Sequence, residues 1–191
     1  VIEEFRKQSI PVVLVNNYLD MDGLVCISAD HYGGAVQATE YLCKLGHCKI
    51  GLLSGRFSPQ VSEARIEGFV KTLAKYDIPV DDRFIADIEP ALEDGEEIMT
   101  RMLREVDRPT AFFCTNDTIA AGGMKAVTRA GLRVPEDIAI IGFDDSYISR
   151  VVEPELTTVR IDAAKMGCLA MQTLFDLIAG MPVEKAHIQI P

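Results

Sequence analysis

The chain reads as an α/β protein built on a parallel, doubly wound sheet. Three observations lead there. Short apolar runs rich in Val, Ile and Phe recur along the 191 residues, and their apolarity is continuous rather than alternating, as in strands buried on both faces. Between them lie segments whose apolar residues repeat at three and four positions, each a helix with one stripe for a sheet. The two kinds alternate through most of the chain, as parallel strands joined by crossover helices do.

In order, strands are expected at residues 11–15, 24–27, 50–53, 83–86, 110–114, 138–142 and 157–161, and His187-Ile-Gln-Ile190 is strand-like as well. The helical stripes are Ala35/Ala38/Leu42/Leu45, Ile66/Phe69/Val70/Leu73, Ile98/Met99/Met102/Leu103/Val106, Ala120/Met124/Val127 and Leu169/Met171/Leu174/Phe175/Ile178. Gly46, Gly131 and Gly180 sit just past three of these helices, where a left-handed residue closes the last turn. Asp94 with Glu97 resembles a capping box, and Asp162 fits as the cap of the final helix. No internal repeat, low-complexity tract or linker interrupts the pattern, so composition alone gives one domain. The chain starts at Val1 without Met, in what reads as the last turns of a helix, and stops at Pro191 just after a strand. A fragment of a longer protein is therefore expected.

At 48% hydrophobic and 25% charged residues the chain has the composition of a soluble globular protein. Its net charge of -10 opposes a phosphate backbone, so these residues are not themselves a nucleic-acid-binding surface. No apolar run approaches the ~20 residues that span a bilayer, and Val1-Ile-Glu-Glu-Phe-Arg6 has no signal-peptide pattern. The five cysteines are an odd number without CxxC spacing and read as reduced core residues of a cytoplasmic protein. The three histidines, His31, His47 and His187, do not cluster with them, so no metal site is expected. No GxGxxG follows a strand, no phosphate-binding P-loop occurs, and no Ser or Cys nucleophile has an identifiable His partner. Neither catalysis nor a cofactor is expected.

Two strands run straight into polar groups: Ala111-Phe-Phe-Cys-Thr-Asn116-Asp117 and Ile138-Ala-Ile-Ile-Gly-Phe-Asp144-Asp145. Open α/β sheets bind ligands at the carboxyl ends of their strands. Asp144 can there accept hydrogen bonds from vicinal hydroxyls or ring nitrogens of a small ligand, or it can cap a turn, the role assigned to Asp145. Asn116 caps the following helix, reaches a ligand, or does both. Asp117 is placed in the first helical turn, where its charge suits the helix dipole. Asn16 closes the strand before it, and Asn17 reads as turn chemistry. Arg65 lies on the helix after the loop Ser54-Gly-Arg-Phe-Ser-Pro-Gln60, where most arginines are solvated. Phe57 and Ser58 belong to that loop, and an aromatic there can stack on a sugar ring or base.

Three stretches carry a resemblance to the lactose-repressor-type (LacI/GalR) transcription regulators: Gly46-His47, Arg65-x-x-Gly-Phe69, and Gly131-Leu-Arg-Val-Pro-Glu-Asp-Ile-Ala-Ile-Ile-Gly-Phe-Asp-Asp145. It covers nearly the whole chain. It implies a type I periplasmic-binding-protein-like fold with doubly wound parallel sheets in two interwoven subdomains. Residues 1–28 and 161–191 then form an incomplete N-terminal effector subdomain and 29–160 the C-terminal one, the helix-turn-helix DNA-binding domain being absent from this chain. It further implies that Arg65, Asp144, Asn116, Asn16, Phe57 and Ser58 surround a small effector, a sugar or derivative, in the cleft between lobes. The partner would be operator DNA, bound by a homodimer. At positions where the family contacts its effector, this chain has Pro59 and Val61, which donate no side-chain hydrogen bond. The stretch around Ile88, which aligns with a stacking aromatic of some members, is aliphatic. A solute-binding protein of an uptake system shares the implied fold and is the rival reading; an enzyme on a nucleotide-binding fold comes third.

Overall fold

The computed structural model describes residues 2–19, 21–183 and 186–191, so Val1, which the sequence places in a helix, lies outside the described residues. In chain order the elements are α1 (Ile2–Lys7), β1 (Val13–Val15), β2 (Val25–Ala29), α2 (His31–Lys44), β3 (Ile50–Gly55), α3 (Pro59–Lys75), β4 (Ile85–Ile88), α4 (Leu92–Met102), β5 (Ala111–Cys114), α5 (Asp117–Arg129), β6 (Ala139–Asp144), β7 (Thr157–Arg160), α6 (Ala163–Ile178) and β8 (His187–Ile190). The chain divides into two units, Val1–Asp30 with Ile161–Pro191, and His31–Arg160.

The larger unit holds a five-stranded sheet in the order β4-β3-β5-β6-β7, every neighbouring pair parallel. The three inner strands β3, β5 and β6 are buried on both faces, which is why they read as near-continuous apolar runs, whereas the edge strands β4 and β7 carry exposed positions. On one face Leu53, Phe112 and Cys114 pack with Met99 and Met102 of α4 and with Ala120, Met124 and Val127 of α5. On the other, Phe69 of α3 meets Phe113, and Phe113 meets Phe143, each with ring centroids 6.4 Å apart. All three rings are almost fully buried, and each contributes about 1.5–3 kcal/mol by leaving water. Gly34 brings α2 close to this layer, since a Cβ there would sit 2.6 Å from Phe143 Cζ.

The smaller unit has a three-stranded parallel sheet, β1-β2-β8, in register Val13↔Val25 and Ile27↔Ile188. Met166 and Ala170 of α6 close over Ile27, Ala29 and Ile190. Here only part of the expected stripe packs: Leu169 lies against this core and Leu174 is half-buried, but Met171, Phe175 and Ile178 are exposed, and the buried residues are Met166, Ala170 and Thr173. α6 is apolar around most of its circumference, so periodicity does not select the face that packs.

Other expectations shift by a residue or two. Asp81 accepts the Arg83 N–H and holds a 3-10 turn at Asp82–Phe84, so β4 starts at Ile85 rather than at residue 83. Ile88 is then the buried end of β4. α4 starts at Leu92 with Ala91 at its N-cap, so Asp94 and Glu97 form no capping box, and Asp94 lies in the first turn. Leu45 and Val106 fall outside α2 and α4 and are exposed. Cys26, Cys43 and Cys114 are buried, but Cys48 and Cys168 are exposed, one beyond the turn at Gly46 and the other on the open face of α6. Gly46, Gly131 and Gly180 have φ of 92°, 75° and 71°, the left-handed helix ends expected of them. Among the described residues no helix is long and apolar enough to cross a membrane.

Candidate ligand-binding site

The chain passes outward from β3 to β4 and then returns to place β5 on the other side of β3. Such a switch in strand order opens a crevice at the carboxyl ends of the two middle strands. Thr115 stands in this position directly after β5. Its N–H donates to Leu53 O at 2.9 Å, and its hydroxyl accepts from the Gly55 N–H at 2.7 Å.

Arg65 reaches this point from the second turn of α3. Nη1 donates to Thr115 O; Nη2 donates to His31 Nδ1 at 3.2 Å and to Asp144 Oδ1 at 3.3 Å. Because a guanidinium only donates, His31 Nδ1 is an acceptor here and its ring proton sits on Nε2. The guanidinium carbon lies 3.9 Å from the ring centre of Phe143 and 5.0 Å from that of Phe57. Arg65 is only 3% exposed, far from the solvated helix arginine that is the common case. An isolated cation could not be buried so deeply; a carboxylate, a carbonyl, an imidazole and two ring faces offset part of its desolvation, while the buried Nε has no hydrogen-bond partner among the described residues.

Asp144 ends β6 with φ 111° and Asp145 follows with φ 51°. Two successive non-glycine residues there cost on the order of 1–3 kcal/mol each and persist only where surrounding contacts impose them. Asp117 supplies those contacts. Fully buried at the start of α5, it accepts from the Ser146 N–H at 2.6 Å and the Thr158 hydroxyl at 2.5 Å. Gly142 leaves room for this carboxylate, which a Cβ would strike. Asp117 thus does more than complement the helix dipole: it anchors the turn that carries Asp144. Asp145 is turned away toward Arg150 at 3.3 Å and Ser149 at 3.4 Å, and keeps its expected turn role.

Burial pushes the Asp144 carboxyl up to about 6, with the nearby Asp117 charge adding to the rise and Arg65 opposing it. Burial likewise holds the Arg65 guanidinium below its ordinary value, against the pull of Asp144 and Asp117.

The remaining expected residues are placed as follows. Asn116 is the N-cap of α5, its Oδ1 accepting the Ile119 N–H at 2.9 Å, and is buried. Phe57 and Ser58 lead into α3; Ser58 is its N-cap residue without a side-chain bond to the helix, and its buried hydroxyl has no hydrogen-bond partner among the described residues. Asn16 belongs to the smaller unit, where it ends β1 with φ 54° and donates its N–H to Ile27 O at 2.7 Å. Asn17 Oδ1 accepts the Tyr18 N–H, as turn chemistry requires. The structure therefore gathers Arg65, Asp144 and Phe57 around Thr115, and adds His31, Phe143 and Asp117. Asp117 lies at one of the polar strand ends the sequence singles out but reads there only as a helix-dipole partner, and nothing local in the sequence marks His31 or Phe143 for the site. Among the described residues no group of three or more His, Cys, Asp or Glu is arranged to hold a metal ion.

Comparison with known proteins places the chain. The family model of the periplasmic binding protein-like domain matches residues 39–191. The probable HTH-type transcriptional repressor ExuR of Bacillus subtilis is 35% identical over 178 residues, 93% of this chain and 54% of that protein. A regulatory protein of the LacI family from Chloroflexus aggregans superposes with a TM-score of 0.91 at 30% identity, covering 99% of this chain and 68% of that one. A LacI family transcriptional regulator from Enterococcus faecium, solved with bound ribose, gives 0.89 at 28% identity over 99% and 70% of the two chains. The chain spans about half the length of the curated relatives it matches. It belongs to the periplasmic binding protein-like domains and, among them, to the LacI family.

Proposed function

We propose that this chain is the effector-binding core of a LacI-type DNA-binding transcription regulator, and that its effector is a small polar molecule, a sugar or sugar derivative. The observation that carries this reading is Asp144, a partly exposed carboxylate on a strained turn, braced from behind by Arg65 at the carboxyl edge of the sheet. Backbone strain and two buried charges committed to one presented carboxylate support a ligand-contacting role for it. The regulator from Enterococcus faecium holds ribose, which supports a sugar as the ligand class. The ligand-contacting set is Asp144, Arg65, Asn116, Phe57 and Ser58, with Asn16 of the smaller unit included on the family resemblance. Residues 29–160 are assigned to the C-terminal effector subdomain and 1–28 with 161–191 to the N-terminal one. Operator DNA is bound through an N-terminal domain outside this chain, by a homodimer in the cytoplasm, and no catalytic role is assigned.

Effector control requires the ligand to bind one state of the regulator better than the other. The test is a metabolite panel on the full-length protein read by thermal melting. A ligand at about a hundredfold excess over its dissociation constant adds ~2.7 kcal/mol and raises Tm by roughly 5 to 10 °C. A gel shift with genomic fragments then compares full-length protein with this chain, with and without the ligand found. Specific DNA binding by the full-length protein alone is expected. Ligand binding without DNA binding in any state would favour a solute-binding protein, and no ligand from a broad panel would defeat the effector reading.

A further inference from the structure

An apolar residue just before a helix commonly packs on the side chain five positions later, and this staple fixes the angle at which the chain enters the helix. α3 starts differently. Its N-cap is Ser58, so Phe57 and Ser62 hold the two staple positions, and one of them is polar. The Ser62 hydroxyl donates to Gly55 O at 3.1 Å and accepts the Phe57 N–H at 3.1 Å. The loop leaving β3 is thus closed onto α3 by hydrogen bonds to its backbone, and the Phe57 ring takes no part in closing it.

That ring lies over the end of β3 instead. A Cβ on Gly55 would sit 2.8 Å from Phe57 Cε2 and Cζ, and the ring centre is 5.0 Å from the guanidinium carbon of Arg65. A ring face held against a guanidinium shields it from water and steadies it. Little else holds the ring there. Gly55 offers no side chain to grip it, Ser58 makes no side-chain bond to the helix it caps, and Pro59, without an N–H, and Gln60 are exposed. The Arg56 N–H donates to Ile88 O at 2.8 Å, which ties down the residue before the ring. Among the described residues, Ser62 is the one side chain of α3 that hydrogen-bonds to the backbone of residues 55–57.

We infer that Ser62 is a positioning residue of the ligand crevice: its hydroxyl latches the loop that carries Phe57 and so holds that ring against Arg65. The inference deepens the effector-binding reading above and rests on it for the use made of the ring. It explains why a small polar side chain stands where an apolar one would close the turn: an apolar residue at position 62 would draw the ring to itself and away from Arg65.

The test needs no ligand, so its failure leaves the effector reading standing. In the full-length protein, Phe57→Trp replaces the ring by an indole, the stronger partner for a guanidinium, and its fluorescence is read as the difference from the unsubstituted protein. Adding Ser62→Ala is expected to raise the acrylamide quenching constant of that indole by about twofold or more, as the ring leaves Arg65 for solvent. Adding Ser62→Thr, which keeps the hydroxyl, is expected to leave the constant as it was. An unchanged constant with alanine, or a threonine variant quenched as strongly as the alanine one, overturns the inference. Should Phe57→Trp or the alanine variant fail to fold, amide hydrogen exchange on the unsubstituted protein decides. The Phe57 N–H is expected to exchange at least about fivefold more slowly than that of Gln60, which has no acceptor inside its helix, the protection that one hydrogen bond gives. Equal rates at the two positions would remove the latch.

Discussion

Arg65 Nη2 and Asp144 Oδ1 lie 3.3 Å apart across 79 positions of sequence, joining α3 to the end of β6, and the attraction between them does not offset what burial costs either one. The Asp144 carboxyl is held above its ordinary value and the Arg65 guanidinium below, both with desolvation as the leading cause. Buried ion pairs commonly behave so: the pair is weak as a source of stability, yet removing one member strands the other. This pair therefore serves to fix geometry at the sheet edge more than to hold the fold together.

Arg65→Ala is expected to lower the unfolding free energy by about 3–5 kcal/mol, the cost of breaking a buried ion pair, because Thr115 O and Asp144 both lose their donor. Arg65→Lys keeps the charge but cannot reach Thr115, His31 and Asp144 together, and should lose about 1–3 kcal/mol. Urea denaturation of both variants measures this; an alanine variant as stable as wild type would show that the guanidinium is dispensable to the fold.

Asp144 gives a pH dependence whose sign follows from its raised value. The unfolded chain releases this proton near the ordinary carboxyl value of 3.8 and the folded chain near about 6. Between those values the folded state binds the extra proton, so the group favours folding below the window and this advantage is lost as pH rises through it. Ligand binding runs the other way, because only the ionised carboxylate accepts two hydroxyl donors. Affinity for a hydroxyl-bearing ligand held by Asp144 should fall as pH drops below about 6, by no more than about tenfold per unit. Asp144→Asn should flatten both profiles; a wild-type affinity that stays constant from pH 7.5 to 5 would remove Asp144 from the contact.

Asp117→Ala tests the support behind the site. It deletes the acceptor for the Ser146 N–H and the Thr158 hydroxyl, so folding stability is expected to drop by about 3 kcal/mol. Ligand affinity should fall too, although Asp117 is fully buried, because the turn carrying Asp144 loses its anchor. Denaturation and titration on the same variant separate the effects, and unaltered affinity in a folded variant would show that the turn holds its shape unaided.

What the sequence determines here is local. Strands β2, β3, β5 and β6 are legible because parallel strands buried on both faces need near-continuous apolar runs, and nothing beyond the run itself is consulted. Asn116 and Asp162 are legible as caps because a cap reaches only three residues ahead, to Ile119 and Lys165. Arg65 and Asp144 stand out through their match to a family motif, not through periodicity or charge. The tertiary structure decides what depends on which strands become neighbours. Arg65 meets His31 and Phe143, both far from it in sequence, because α2, α3 and β6 converge on one face of the sheet. Asp117 becomes the anchor of the Asp144 turn only because β6 runs beside β5 and β7 beside β6. The packed face of α6 is undetermined in the sequence for the same reason: a helix apolar on several sides takes its orientation from the sheet it meets, and that choice lies outside its own residues.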